Sequence, residues 1–237
     1  MSRNKFLTAE WRKLIMANYE IDRGILAKYI PAKTELDTWN NKYYISLVGF
    51  MFLNTRVRGL KIPFHSDFPE VNLRFYVRYR SANEWKRGVV FINEFVPRSA
   101  ITFVANNLYK ERYVTYPMKH TWEIADKLMI GYYWKKNNHW NKLEATASIN
   151  SCELEQGSKE EFITEHYWGY SSIDKNKTGE YQVEHPRWCI YPVEQYSIDC
   201  KFETLYGNDF RFLDHARPAS IFLAEGSPVT IYTKKVL

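Results

Sequence analysis

Residues 71–98, VNLRFYVRYRSANEWKRGVVFINEFVPR, read as two strands joined by a polar turn. From Asn72 to Arg78 the alternation is strict: Leu73, Phe75 and Val77 share one face, while Asn72, Arg74, Tyr76 and Arg78 share the other. The partner, Gly88 to Val96, is apolar on both faces apart from Asn93 and Glu94, the pattern of a strand covered on both sides. A carboxylate there is costly to bury without a nearby cation, and the arginine strand is the obvious source of one. The stretch predicts a polar site inside a β framework. It leaves open what reaction, if any, that site performs.

The rest of the chain supports a β-rich protein with a sizeable core. It has 237 residues, of which 17% are aromatic, and such rings favour strands and fill volume. Ten glycines and nine prolines do not make a disordered composition. Strands are expected at Tyr43–Thr55, Lys127–Trp134, Trp140–Ser148, Phe162–Tyr170, Tyr181–His185, Trp188–Val193, Ser220–Ala224 and Val229–Thr233. Gly49 within the first of these signals a bulge or a close backbone approach. The run WRKLIMANY, residues 11–19, is readable as strand or helix. Asp22 caps a short helix that Pro31 closes, and Ser99 caps a second, Ser99 to Glu111, with apolar residues at helical spacing. No break in composition marks a linker. The expectation is one mainly β domain over residues 1–237, a barrel or sandwich with two or three helices.

Several function classes are excluded. The net charge of +6 suggests nucleic acid, but the basic residues are interleaved with acidic ones, as in Lys159-Glu160-Glu161, so no nucleic-acid partner is expected. Cys152, Cys189 and Cys200 form no CxxC pair, and no HxH or HExxH spacing exists, so neither a disulfide framework nor a metal is expected. Nucleotide-binding glycine loops and a GxSxG elbow are also missing, and no cofactor is anticipated. The N-terminal segment lacks a long apolar run and no segment reaches transmembrane length. The simplest expectation is a reduced, cytoplasmic protein with no membrane partner.

The strings FLTAEWRKLIMANYEID, LVGFMFLNTRVRG, IPFHSDFPEVNLRFYVR, RGVVFINEFVPR, FITEHYWGYSS and SIFLAEGSPVTIY together resemble the YqjF-like family of uncharacterised bacterial proteins. The resemblance spans nearly the whole chain. It implies a fold similar to acetoacetate decarboxylase, an antiparallel β barrel or cone around a pocket with helices outside, and it implies no reaction. Those decarboxylases form a Schiff base through one lysine of a Gly-Phe-Pro-Lys-Lys string, the adjacent lysine lowering its pKa. The similar position here is Thr115-Tyr116-Pro117-Met118-Lys119. The lysine pair is absent: Met118 takes the nucleophile's place and Lys119 its neighbour's.

The candidate site residues follow. Arg74 is the anion anchor, with Tyr76 and Glu94 beside it; Glu94 is either a general acid or base of raised pKa or half of a buried salt bridge to Arg74 or Arg98. Met118 is expected to face the pocket and Lys119 to turn away, as neighbours on extended chain do. His166 is expected to face inward, with Phe162, Thr164, Trp168 and Tyr170 on the same strand face. The first functional expectation is a pocket protein for a small anionic organic ligand. One alternative is a lyase-like enzyme on a β-keto acid through Lys119. Another is a protein-interaction module whose aromatic surface supports homo-oligomers.

Overall fold

The computed structural model describes residues 4–109 and 111–237, with backbone only at 108 and 109. Seven strands close a hydrogen-bonded ring: Lys5–Ile21, Tyr43–Val57, Phe68–Ser81, Glu84–Val96, Trp168–Ser172, Thr178–Glu184 and Ser220–Tyr232, the last returning to the first. Every pairing is antiparallel except that between Glu84–Val96 and Trp168–Ser172. Met118–Ile124, Lys127–Lys136, His139–Ser148 and Cys189–Asp199 continue the sheet beyond Ser220–Tyr232 and fold back over the outside of the ring.

This arrangement buries both faces of the central strands. Leu14, Met16, Val48, Phe50, Tyr76 and Phe222 pack inside the ring. Ile15, Ala17, Leu47, Phe75 and Leu223 pack outward against Tyr132, Trp134 and Leu143 of the covering sheet. The double burial explains why residues 11–19 lack a clear period: strand Lys5–Ile21 has apolar neighbours on each side. At Gly49 the covering sheet comes close. A Cβ there would lie 2.7 Å from Tyr132 Cδ2, and the Tyr132 hydroxyl donates to the Lys13 carbonyl at 2.8 Å.

The helices differ from the expectation in number and place. Four short α-helices occur among the described residues: Arg23–Leu26, Ser99–Val104, Lys159–Thr164 and Phe202–Tyr206. The first is capped by Asp22 as expected, its carboxylate accepting the Gly24 N–H at 2.6 Å. In the second, Arg98 and not Ser99 is the N-cap; the helix passes into a π-helical turn at Ala105–Tyr109, and Lys110 of the expected span lies outside the described residues. The strand expected at Phe162–Tyr170 begins only at Trp168. Residues 159–164 are helical because Ser158 accepts the Glu161 N–H at 3.1 Å while Glu161 accepts the Gly157 N–H, a Ser-x-x-Glu capping signal legible in the sequence.

Candidate active site

A cavity of about 180 Å³ opens at one end of the ring. Six of the seven ring strands supply its walls, through Leu7, Phe52, Phe68, Glu94, Tyr181 and Ile231, so it lies inside the ring; helix Ser99–Val104 and the loop at Ile62 flank the opening. The walls are mostly apolar. The polar groups converge at Glu94, Glu111 and Tyr113, the arrangement expected of a ligand pocket. A wider cleft of about 460 Å³ beside Cys200 is less suited, since four of its charges already pair, Lys201 with Asp199 and Arg211 with Glu203, each at 3.6 Å.

A β-bulge decides that Glu94 points inward. Phe75 pairs with Val90 and Arg74 with Phe91, but Leu73 then pairs with Asn93, leaving Ile92 as an extra residue. Beyond it Glu94 stands opposite Asn72, on the interior face. In an unbroken ladder Glu94 would stand opposite Val71 and face the outer core. The chain then leaves through helix Ser99–Val104 and returns as Tyr113–Thr115, which pairs in parallel with Glu94–Val96. Asn106 fixes the return: its side chain accepts the Tyr113 N–H at 2.8 Å and donates to the Tyr113 carbonyl at 2.9 Å. Glu111 and Tyr113 thereby join Glu94.

Glu70 lies behind them, accepting from Asn72 Nδ2 at 2.9 Å and from the Tyr113 hydroxyl at 3.0 Å. Burial, only partly offset by these two hydrogen bonds and by the charge of Arg74, pushes its carboxyl up to about 7. Burial raises Glu111 to about 7 as well, against the pull of Lys234 and a hydrogen bond with Tyr181. Glu94 is held well above the ordinary carboxylate range by burial first and then by the charges of Glu111 and Glu70. Glu94 Oε2 and Glu111 Oε1 are enclosed and accept no hydrogen bond, although Glu111 as a whole is half-buried. The carboxyl groups at the polar end of the cavity, with Glu70 behind them, thus stay protonated to higher pH than ordinary carboxylates. Chemically the cluster can donate a hydrogen bond, accept one, or move a proton.

Of the residues expected from the sequence, only Glu94 lines this cavity. No salt bridge joins it to Arg74 or Arg98, because the bulge sets it beside Asn72 and the carboxyl cluster. Arg74 lies deeper in the ring, 8% exposed. Its Nε lacks a partner, it enters no salt bridge among the described residues, and its guanidinium sits 5.9 Å from the Tyr76 ring centre. The Tyr76 hydroxyl is held by Ser46 Oγ at 2.6 Å, which also donates to Asn18 Oδ1, a chain of polar groups across three strands. His166 is buried farther along, with Nε2 at 3.2 Å from Asp37 Oδ2; Arg87 Nε donates to the same oxygen at 2.7 Å. Burial lowers His166 to about 4, so the ring is neutral, and the hydrogen bonds from His166 and Arg87 outweigh burial to hold Asp37 at about 2. Met118 packs against the outer core, not in the cavity, and Lys119 is exposed, its Nζ over the Tyr133 and Trp140 rings. Sequence reasoning missed Glu70, Glu111 and Tyr113. Their one signal is that Glu70 continues the alternation of Asn72 and Arg74.

Among the described residues no group of three His, Cys, Asp or Glu side chains is placed to hold a metal ion, and no helix is long and apolar enough to cross a membrane.

The ring with its covering sheet is the architecture of acetoacetate decarboxylase-like proteins. Acetoacetate decarboxylase from Legionella pneumophila superposes with a TM-score of 0.67 at 13% identity, over 98% of this chain and 87% of that one. The enduracididine biosynthesis enzyme MppR complexed with pyruvate gives 0.67 at 8% identity, over 100% and 91%. At such identities the likeness shows the fold alone. The chain belongs to the family DUF2071, described as an uncharacterized conserved protein, which it matches over residues 8–228. It is also 30% identical over 188 residues to the uncharacterized protein YqjF of Bacillus subtilis (strain 168), covering 78% of this chain and 74% of that one.

Proposed function

We propose that the protein binds a small organic molecule in the ring cavity, with an apolar body against Phe52, Phe68, Ile101 and Val104 and a carbonyl or hydroxyl head against Glu94 and Glu111. One observation carries this reading: two enclosed carboxyl oxygens, Glu94 Oε2 and Glu111 Oε1, have no partner at the polar end of an apolar cavity. Buried polar atoms are nearly always satisfied, and a ligand head would satisfy these. A protonated Glu94 offers a donor to a carbonyl oxygen, and Glu111 can accept from a hydroxyl.

An anionic head is the second reading, supported by Arg74. A buried guanidinium without an ion pair is costly, and a carboxylate reaching past Glu94 would relieve it. MppR, which shares the fold, is complexed with pyruvate, a small oxo acid with a head of this kind. The β-keto acid lyase reading through Lys119 draws no support from the geometry, since Lys119 does not line the cavity.

A matched short-chain series of ketone, alcohol, carboxylate and amine, titrated by ligand-detected NMR, tests both. The expected result is saturable binding of ketone and alcohol, abolished when Ile101→Trp fills the cavity and weakened in Glu94→Leu. Carboxylate binding lost in Arg74→Met would favour the second reading. No saturable binding by any member, or binding indifferent to Ile101→Trp, would refute the cavity as the site.

A further inference from the structure

We propose that the mouth of the cavity is a docking surface for an anionic lipid bilayer, whatever molecule the cavity holds. Two segments form this mouth. Ile62 and His65 come from the turn that follows strand Tyr43–Val57, and Ala100, Ile101 and Val104 come from helix Ser99–Val104; all five line the one cavity. Both segments carry large apolar side chains into solvent: Phe64 is 86% exposed, Phe103 70% and Leu60 69%, with Ile62 and Val104 exposed beside them. Phe64 holds its place from a left-handed backbone, φ 63°, which bulky residues seldom adopt.

The exposed charge that the two segments themselves carry is basic. Arg56 at the end of strand Tyr43–Val57 and Arg58 and Lys61 on the turn are exposed, and exposed Arg98 precedes the helix; none forms a salt bridge among the described residues. No Asp or Glu occurs in residues 56–66 or 95–109; exposed Asp67 and the cavity's own Glu94 and Glu111 flank these stretches. Exposed aromatic and aliphatic side chains beside cations that form no salt bridge and outnumber the exposed acids of these segments match the interface of an anionic bilayer, where rings enter the headgroup layer and cations meet phosphates. The charge also argues against a second copy of the chain, because a two-fold contact through this face would oppose its four cations to their own images. A neutral apolar protein partner would leave the cations unmatched. Peripheral docking of this kind needs no spanning helix.

Co-sedimentation of the full chain with phosphatidylcholine vesicles, with and without phosphatidylglycerol, tests the proposal. The wild type should bind only the anionic vesicles and detach as salt rises. Phe64→Ser with Phe103→Ser, and separately Arg58→Glu with Lys61→Glu, should each lower partitioning by about tenfold or more. Lys175→Glu with Lys177→Glu makes the same change in net charge away from the mouth and should leave partitioning within about twofold. Unchanged thermal melting in all three variants shows that they fold. The proposal is overturned by no binding of the wild type at low salt, by an equal loss in the Lys175 and Lys177 pair, or by a concentration-dependent dimer that the mouth substitutions abolish.

Discussion

Replacing Glu70 by Gln should make the protein more stable at alkaline pH and should flatten its dependence on pH. Glu70 is 2% exposed and its carboxyl is raised from the ordinary 4.5 to about 7. The folded state therefore holds a proton that the unfolded chain releases between these values. Stability from this group is complete below about pH 4.5 and is lost as pH rises through 7, opposite to a salt-bridged carboxylate. At about 1.4 kcal/mol per pKa unit the full loss is roughly 3 kcal/mol, of which some 2–3 kcal/mol falls between about pH 5 and 8. Gln copies the neutral form and keeps an acceptor for Asn72, while the Tyr113 hydroxyl can rotate to accept from the new amide. Urea denaturation of both proteins across this range measures the effect. His166, lowered to about 4, titrates with the opposite sign, but it is common to both proteins and cancels in the difference. The variant should match the wild type near pH 5 and exceed it by about 2–3 kcal/mol near pH 8. Parallel pH profiles would mean that burial does not raise Glu70 above the ordinary carboxylate range, and the reading of a cluster that keeps its protons would fail.

Arg74→Met should be neutral or stabilising by about 1–3 kcal/mol near pH 6, because it removes a buried, unpaired guanidinium and keeps the volume; a loss above about 2 kcal/mol in urea would show that Arg74 holds the fold. Gly49→Ala should cost about 1–3 kcal/mol in the same assay, since its Cβ would meet the Tyr132 ring, and a neutral result would show that the covering sheet can shift. Lys119→Ala should stay within about 0.5 kcal/mol of the wild type in thermal melting. Borohydride reduction with a panel of keto acids should leave Lys119 unmodified, and an adduct mapped to it would revive the lyase reading.

The fold was legible where the chain repeats one pattern. Alternation in Asn72–Arg78 and apolar runs such as Tyr43–Thr55 mark strands whatever they pair with, and these became walls of the ring. Legibility failed where a local signal competed with composition. Phe162, Ile163 and Thr164 favour strands one by one, yet the capping pair Ser158 and Glu161 starts a helix, and packing against Tyr44 and Tyr76 keeps Phe162 there. Helix Phe202–Tyr206 went unseen because it is barely more than one turn, too short for a period to show.

The site was less legible than the fold, and the cause is a single residue. A strand sequence tells which side chains share its own face, but not how that face is phased against a neighbour. Arg74 and Glu94 read as a charge pair on adjacent strands, and a regular ladder would have sent Glu94 out of the ring altogether. The extra residue at Ile92 instead turns Glu94 inward, beside Asn72 and toward Glu70. Arg74 is left without a partner, and Glu94 gains the company of two further carboxyls that arrive from other parts of the chain. Had the pair formed, each charge would have neutralised the other and the interior would hold an ordinary buried ion pair. Because the bulge separates them, the ring keeps a guanidinium without an ion pair, whose charge still acts on Glu70, and a cluster of carboxyls raised by burial. Each carries a burial cost, and a molecule that entered the cavity with complementary polar groups would lower it.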